Sequence, residues 1–290
     1  MNRWTISARS PTPGPQPAGS AWPTPILPGT SCPCARSSSD AASRGAHSGM
    51  LQTVISPTGR PWLDELAAAT EQFRAVIAAA EHDQEALASS VAACPGWDLR
   101  DLAVHLGRTH LWAAQILDGA DPRNRPQDEP APEEPLPAWY GRTAERIRKA
   151  LAEAGPDKPC WTLVKEQRNA LFWQRRQVHE TVVHLWDAHH ALGRSTEITP
   201  ALAYDGVAEV AEVMYPRMLR AQRVQPLPKQ LVLTATDLSA EPVRIGDAGE
   251  TLAVRAPAGK LLLLVWQRIP CSPQYGAPEA QELISQSLVP

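Results

Sequence analysis

Side chains able to bind a metal ion are concentrated between residues 175 and 190, which include two arginines, four histidines and two carboxylates. Glu180 and His184 are four residues apart, so they share one face of a helix, and Asp187 follows nearly one turn later. A carboxylate and an imidazole at this spacing can bind one divalent cation when a facing helix supplies the remaining ligand. His105, in an earlier helical pattern, is the candidate third ligand. Two histidines and one carboxylate leave a coordination position open, as catalytic metal sites do.

The sequence HETVVH in this segment resembles the zinc-protease motif HExxH but does not match it. That motif places its two histidines four residues apart on one helix face. His179 and His184 are five residues apart, about 140° around a helix of 3.6 residues per turn. Val183 occupies the position of the second motif histidine. The spacing therefore excludes a protease-type site.

A simpler interpretation of the same residues remains open from periodicity alone. The apolar residues of this helical pattern form a stripe on the side opposite Glu180, His184 and Asp187; they are Leu171, Val178, Val182, Leu185 and Leu192. The polar face would then be exposed to solvent, with an ordinary Glu–His pair and no metal. His105 lies at the edge of its own apolar stripe and is also compatible with a structural histidine in the core. Spacing does not decide between a metal site and these structural roles.

Five helical patterns precede a short β-region. The helices are predicted to begin at about Pro61, Asp98, Pro137, Ala170 and Pro200. Asp98 is a good N-cap, and the fifth pattern extends to about Arg220. After Pro226, the segments KQLVLTATD, EPVRIGD and ETLAVRAP predict three short strands, and AGKLLLLVWQR predicts a short buried helix. The predicted fold class is mainly α, a four-helix bundle followed by a small α+β domain.

Three regions are expected along the chain. Residues 1–57 are rich in Pro and Ser and have almost no apolar periodicity. Such a segment cannot bury enough surface to offset the entropy of ordering, so it is predicted to be a disordered tail. Met50 is an alternative true start within it, and the one we favour. The bundle is expected over 58–195 and the α+β domain over 196–290.

Charge and composition exclude several classes of function. The net charge of −3 gives no basic excess for binding nucleic acid. No apolar run approaches the length of about 20 residues that a membrane span requires. The five cysteines form no CxxC pair, so neither a zinc ribbon nor a disulfide framework is expected, and Cys94 is predicted to be a small buried residue. We expect a cytoplasmic protein, monomeric or homodimeric, without nucleic-acid or membrane partners.

Two segments of the chain together resemble a known family. CPGWDLRDLAVHLGRTHLWAAQIL, followed later by RRQVHETVVHLWDAHHALG, resembles the mycothiol-dependent maleylpyruvate isomerase family, whose N-terminal domain is a DinB-like metal-binding four-helix bundle. PLPKQLVLTATD and AGKLLLLVWQR resemble the small C-terminal α+β domain of the same family. The combination of PGW-x-x-x-D-L-x-x-H with E-x-x-x-H-x-x-D makes the resemblance fairly specific.

The resemblance implies a Zn²⁺ ion bound by His105, Glu180 and His184, with water or the thiol of mycothiol in the fourth position. It implies that Asp187 either hydrogen-bonds to a metal ligand without binding the metal itself or supplies a local charge beside the metal. It also implies a catalytic arginine from the C-terminal domain near the metal, for which Arg268 is the candidate. This chain has VWQR where the family has a sequence nearer LWGR, so a glutamine replaces a glycine just before that arginine.

The function implied by the resemblance is thiol chemistry at the metal. Zinc makes a bound thiol more acidic, and the thiolate of mycothiol would add to a conjugated double bond, permit rotation and leave. Attack on a carbon that bears a leaving group would instead make the protein a thiol S-transferase acting on a small electrophile. The alternative is a non-catalytic metal-binding regulatory or sensor protein, whose site would be closed by a fourth protein ligand such as His110 or Asp187.

Overall fold

A computed structural model of the chain describes residues 59–286 and 288–290, and the predicted tail 1–57, with Met50, lies outside the described residues. Helices come first in the described part, followed by a small sheet and two further helices. None of these helices is long and apolar enough to cross a membrane. The elements are α1 Trp62–Ala80, α2 Gln84–Leu87, α3 Leu99–Leu117, α4 Leu136–Ala154, α5 Ala170–Ala191, α6 Pro200–Glu209, a π-helical turn Val210–Met214, α7 Tyr215–Arg220, β1 Gln230–Ala235, β2 Val243–Ile245, β3 Thr251–Ala256, α8 Ala258–Val265 and α9 Pro278–Ser285.

The α1, α3, α4 and α5 helices pack against one another as a bundle, as the sequence predicts. Large apolar side chains fill its centre, among them Leu66, Phe73, Leu106, Tyr140 and Ile147. α3 begins at a capping box, in which Asp98 accepts a hydrogen bond from the backbone N–H of Asp101 at 2.8 Å. The Asp101 carboxylate accepts one from the backbone N–H of Asp98 at 3.2 Å. This reciprocal cap fixes the first turn of the helix that carries His105.

Two helical segments differ in detail from their sequence patterns. The first helix ends at Ala80, and a separate turn, α2, begins where the Asp83 side chain accepts hydrogen bonds from two backbone N–H groups. The helix predicted to run to Arg220 is interrupted by the π-helical turn between α6 and α7. Pro216 lies in the first turn of α7 and has no N–H to donate to the carbonyl four residues earlier, so the regular α-helical ladder cannot continue through it. The α9 helix has no counterpart in the sequence prediction.

The C-terminal region contains a three-stranded sheet with the strand order β2–β1–β3. β1 pairs antiparallel with β2, placing Leu231 opposite Ile245, and parallel with β3, placing Leu231 opposite Leu252. α8 is buried, as predicted, and packs against β1 and α6. The predicted fold class is therefore confirmed. The boundary between domains at residues 195 and 196 stays a prediction.

The α5 helix is buried on its polar side as well as on its apolar side. Glu180 and Asp187 are only 7% and 2% exposed. On this side Arg176 forms an ion pair with Glu209 of α6, and Asp187 forms one with Arg268, which follows α8. The interpretation of this face as solvent-exposed is therefore wrong.

Gly107 allows α3 and α4 to approach each other closely. A Cβ atom at this position would lie 2.4 and 2.5 Å from ring atoms of Trp139 and 3.0 Å from the Oγ1 of Thr143. Alanine normally stabilises a helix interior relative to glycine. Here we expect Gly107→Ala to lower the free energy of unfolding by about 1–3 kcal/mol, because the two helices must separate to admit the methyl group. Urea denaturation followed by circular dichroism measures the change.

Gly141→Ala, on α4, is the matched control for this variant. Its Cβ atom would meet the Cδ of Arg74 at 3.3 Å, and that long side chain can move aside. We expect this variant to be as stable as the parent protein or slightly more stable. Equal stability of the two alanine variants would contradict the close packing at Gly107.

Candidate metal centre

Three side chains from two facing helices converge in the bundle. His105 lies on α3, and Glu180 and His184 lie one turn apart on α5. The Nε2 of His105 is 3.3 Å from the Oε1 of Glu180, and the Nε2 of His184 is 3.6 Å from the same oxygen. All three of these residues offer ligand atoms that lie within 4.8 Å of one another. The structure therefore brings together the three residues that the sequence analysis selects as metal ligands.

The Pro-Gly-Trp sequence before α3 contributes directly to this arrangement. The ring of Trp97 lies 4.7 Å from the ring of His105, measured between centroids, at an interplanar angle of 49°. The His105 ring in turn meets the His184 ring edge-on, with their centroids 5.1 Å apart. Aromatic packing on both sides limits the rotation of His105 and keeps its Nε2 close to Glu180.

Both candidate histidines are held in the neutral form that a metal ligand requires. Burial lowers the pKa of His105 well below its ordinary value, and electrostatic interactions with His184 and with nearby arginines lower it further. Burial also lowers the pKa of His184, although its hydrogen bond to Asp187 acts in the opposite direction. A neutral imidazole has a lone pair available for a cation, so the site does not need to release protons from its histidines near pH 7.

Asp187 fixes the orientation of the His184 ring. The Nδ1 of His184 lies 2.9 Å from the Oδ2 of Asp187, which is buried. A hydrogen on Nδ1 satisfies this carboxylate and leaves Nε2, on the side of Glu180, as the lone-pair nitrogen. Burial opposes ionisation of Asp187, but the hydrogen bonds with His184 and Arg268 keep its pKa below the ordinary value. The role that the family resemblance implies for Asp187 agrees with this geometry.

Arg176, one turn earlier on α5, binds the second carboxylate oxygen of Glu180, the Oε2. The guanidinium donates through Nη2 to the Oε2 of Glu180, and through Nη1 to the Oε2 of Glu209 at 2.5 Å. The Oε1 of Glu180 is thereby left to face the two imidazoles. Neither Arg176 nor Glu209 is among the site residues predicted from the sequence. The proximity of Arg176 to Glu180 at a spacing of four residues is the signal that could have identified the arginine.

Arg268 lies next to this centre, and its contacts are with Asp187. Its Nε and Nη2 donate to the two carboxylate oxygens at 3.0 and 2.8 Å, and its Nη1 donates to the carbonyl of Trp266 at 2.8 Å. The preceding residue, Gln267, has a φ of 57°, in the left-handed region where glycine is favoured. Gln267 therefore adopts a left-handed conformation at the position where the family resemblance implies a glycine. The catalytic role of Arg268 stays a prediction.

Arg268 borders two open spaces. A cavity of about 80 Å³ is lined by Arg268 together with Asp187 and His190. A wider cleft of about 410 Å³ is lined by Arg268 and by residues that include Leu264 and Ile284. Arg268 thus lies beside space that a small molecule can enter, whereas the three candidate ligands line neither space.

His110 and His179 have partners that keep them out of the metal centre. The ring nitrogens of His110 lie 2.7 Å from the Oε1 of Gln177 and 3.3 Å from the hydroxyl of Tyr140. The Nε2 of His179 lies 2.7 Å from Asp205 on α6. A site closed by His110 is therefore inconsistent with the structure, and the exclusion of His179 agrees with it.

Cys94 lies closer to the centre than the sequence analysis expects. Its sulfur forms a group of possible ligand atoms with His184 and Asp187, all within 4.8 Å of one another. The residue is partly exposed rather than fully buried. Burial raises the pKa of its thiol to about 11, and the charge of Asp187 contributes to the increase. The Cys94 sulfur is a possible ligand atom beside His184, in addition to the set with His105 and Glu180.

Burial of His110 makes the stability of the fold depend on pH. Its pKa is lowered from 6.5 to about 4, mainly by burial, against a smaller opposing effect of its hydrogen bond with Gln177. The unfolded chain binds a proton below pH 6.5, whereas the folded chain resists protonation until about pH 4. The contribution of this residue is therefore fully present above pH 6.5. We expect it to fall by about 3 kcal/mol between pH 6.5 and 4, at 1.36 kcal/mol per pKa unit.

Urea denaturation of metal-free protein at a series of pH values measures this effect. The His110→Gln variant is the comparison, because glutamine does not titrate in this range. We expect the variant to lose less stability than the parent protein on acidification. The same pH dependence in both proteins would contradict the assignment to His110.

Comparison with known families identifies the bundle. Residues 66–189 match the family model described as the mycothiol maleylpyruvate isomerase N-terminal domain. These residues form a mycothiol maleylpyruvate isomerase N-terminal domain. The family resemblance seen in the two sequence motifs is thereby confirmed. His105, Glu180 and His184 all lie within this isomerase N-terminal domain, whereas Glu209 and Arg268 lie outside the matched residues.

Two solved structures are similar to the chain over most of its length. They are the crystal structure of the mycothiol-dependent maleylpyruvate isomerase and that of a histidine-to-alanine mutant of it. Each is 14% identical, covers 70% of this chain and 86% of its own, and superposes with a TM-score of 0.49. No curated protein matches the chain. The similarity of the chain to the family therefore rests on the match of residues 66–189.

Proposed function

We propose that His105, Glu180 and His184 bind a zinc ion at which the protein carries out thiol chemistry. The observation that carries the proposal is the separation of the donor atoms. Ligand atoms about 2.0–2.1 Å from zinc at tetrahedral angles are about 3.3 Å apart. The separations from the Glu180 oxygen to the His105 and His184 nitrogens, 3.3 and 3.6 Å, fit this geometry before any ion is added.

The surrounding residues support a metal centre over a simple cluster of polar side chains. Asp187 orients one imidazole and Arg176 holds the second oxygen of Glu180. Such outer partners accompany metal-bound histidines and carboxylates in most protein sites. The protein supplies three ligands and leaves one position open, as in catalytic zinc sites. A zinc ion in this position would lower the pKa of a coordinated thiol towards neutrality.

We further propose that mycothiol is the thiol and that the substrate is a small electrophile. The support is the N-terminal domain family, whose name refers to this thiol and to maleylpyruvate isomerisation. The protein would act as an isomerase if the thiolate adds to a conjugated double bond and later leaves. It would act as a thiol S-transferase if the thiolate displaces a leaving group. Because both reactions need a reduced thiol, the proposal places the protein in the cytoplasm.

Arg268 is our candidate for binding an acidic group of the substrate. Guanidinium groups bind carboxylates through two parallel hydrogen bonds, and Arg268 already binds Asp187 in this way. Its contact with Asp187 fixes the arginine beside the centre, and the adjoining cleft gives access to it. Arg268 would thus hold a substrate close to the open metal position while it also supports the orientation of His184.

The experiment that tests the proposal combines metal analysis with an assay. The full chain is purified, its zinc content is measured, and turnover of maleylpyruvate and of an alkyl halide is followed with and without mycothiol. We expect about one zinc per chain and turnover that requires the thiol. A protein that binds no zinc would overturn the metal centre. Zinc binding without thiol-dependent turnover would instead support a metal-binding regulatory or sensor protein.

A further inference from the structure

We propose that Glu209 is a positioning residue for the metal centre, acting through Arg176 on the ligand Glu180. The inference rests on the metal site put forward under the proposed function and extends it to a residue outside the matched domain. Glu209 touches neither of the candidate histidines in any contact described above. Its effect on the metal would be transmitted entirely by the guanidinium of Arg176.

The contacts form a continuous chain of buried charges. Glu209 ends α6, and its Oε2 accepts a hydrogen bond from Arg176 Nη1 at 2.5 Å. Arg176 Nη2 donates to the Oε2 of Glu180, whose Oε1 faces His105 at 3.3 Å. Glu209, Arg176 and Glu180 are 1%, 6% and 7% exposed. Water therefore screens these charges weakly, and each one strongly affects its neighbours.

The charge balance explains why a second carboxylate is useful at this point. Arg176 alone would neutralise Glu180 and compete with a cation for its negative charge. With Glu209 present, one guanidinium is shared by two carboxylates, and the group of three keeps a net charge of −1. This residual negative charge attracts a divalent cation. The pair of Arg176 with Glu180 alone has no net charge and would not attract one. Glu209 also fixes the guanidinium in the plane that directs one oxygen of Glu180 towards the imidazoles.

Another carboxylate on the segment formed by α6 and the π-helical turn offers a control for Glu209. Asp205, Glu209 and Glu212 follow one another at intervals of four and three residues, so they face α5 together. Glu212 pairs with Arg175 at 2.6 Å, and Arg175 pairs with Asp205 at 2.7 Å. Neither contact of Arg175 leads to a candidate metal ligand. Removing the charge of Glu212 therefore perturbs the same interface without touching Arg176 or Glu180.

The test compares Glu209→Gln with Glu212→Gln in the full chain. Zinc affinity is measured by competition with a chromophoric chelator, and the visible absorption of the Co²⁺-substituted protein reports the ligand geometry. We expect Glu209→Gln to weaken zinc binding by about 10–100-fold, as loss of an outer partner does elsewhere, and to change the Co²⁺ spectrum. We expect Glu212→Gln to bind zinc with an affinity within about threefold of that of the parent protein and to keep the parent's Co²⁺ spectrum. The reason is that this variant keeps Arg176 and Glu209, the outer partners of Glu180.

Several outcomes would overturn the inference. The inference fails if Glu209→Gln keeps the zinc affinity and the Co²⁺ spectrum of the parent protein. It also fails if both variants lose the same zinc affinity, because equal losses would indicate general damage to the interface. If circular dichroism shows that Glu209→Gln does not fold, Glu209→Asp is compared with Glu212→Asp. We expect the shorter side chain at 209, and not at 212, to weaken zinc binding; equal affinities would reject the inference. A parent protein that binds no zinc would reject the metal centre itself, which separates the two failures.

Discussion

Replacing Glu180 with glutamine is expected to lower the affinity for zinc by more than about 100-fold, since loss of even an outer partner costs 10–100-fold. The amide has no charge, so the cation would have no anionic ligand among the three residues, and the remaining pair of Arg176 with Glu209 has no net negative charge to attract it. The lost carboxylate oxygen is also the atom on which both candidate histidines converge, at 3.3 and 3.6 Å. If the proposed function holds, thiol-dependent turnover is expected to disappear with the metal.

Zinc content after dialysis and affinity by chelator competition measure this effect. Glu153→Gln is the matched control, because Glu153 is an exposed glutamate on α4 whose ion pair is with Lys149. The control is expected to keep the zinc content and affinity of the parent protein. If Glu180→Gln binds a full complement of zinc with the affinity of the parent protein, Glu180 is not a zinc ligand.

Replacing Arg175 with methionine is expected to lower the free energy of unfolding by about 3–5 kcal/mol, the usual cost of removing one partner of a buried ion pair. The Arg175 guanidinium pairs with Asp205 at 2.7 Å and with Glu212 at 2.6 Å. The side chain of Asp205 is only 2% exposed, so its carboxylate would be left in the protein interior with His179 as its neighbour. The variant would thus lose stability because the packing of α5 against α6 is weakened.

Urea denaturation of the metal-free protein measures this change, with the double variant Arg175→Met, Asp205→Asn as the comparison. Asparagine removes the buried charge but can still accept a hydrogen bond from His179. We expect the double variant to be more stable than Arg175→Met alone, because it contains no unpaired buried carboxylate at this position. A double variant less stable than the single one would show that the charge of Asp205 is not the source of the loss.

Local sequence signals were sufficient for most elements and for placing Glu180 and His184 together as candidate ligands. Asp98 marks the start of α3 by its capping geometry, and the interval from Glu180 to His184 places both on one helix face. These features depend on interactions within a few residues of one another, so they can be predicted without knowledge of the fold. The association of His105 with the other two required the family resemblance, because no local spacing connects residues on different helices.

The polar face of α5 shows where local reasoning reaches its limit. Periodicity distinguishes the two faces of a helix, but it does not say what packs against each face. The polar face reads as solvated in the sequence, yet it is buried by His105 of α3, Glu209 of α6 and Arg268, which contact Glu180, Arg176 and Asp187. Burial of that face depends on contacts between segments 33 or more residues apart, as in the pair of Arg176 with Glu209.

The sequence by itself determined most of the helices, the three strands and the residue types able to bind a metal. The tertiary structure decided which of these residues meet: His105 with Glu180, which the family resemblance implied, and Arg268 with Asp187 and Glu209 with Arg176, which it did not. The physical reason is that a helix or strand forms from local hydrogen bonds and side-chain periodicity, whereas a polar centre forms where separate elements are packed together. The orientation of each ligand is then set by buried partners that no local pattern specifies.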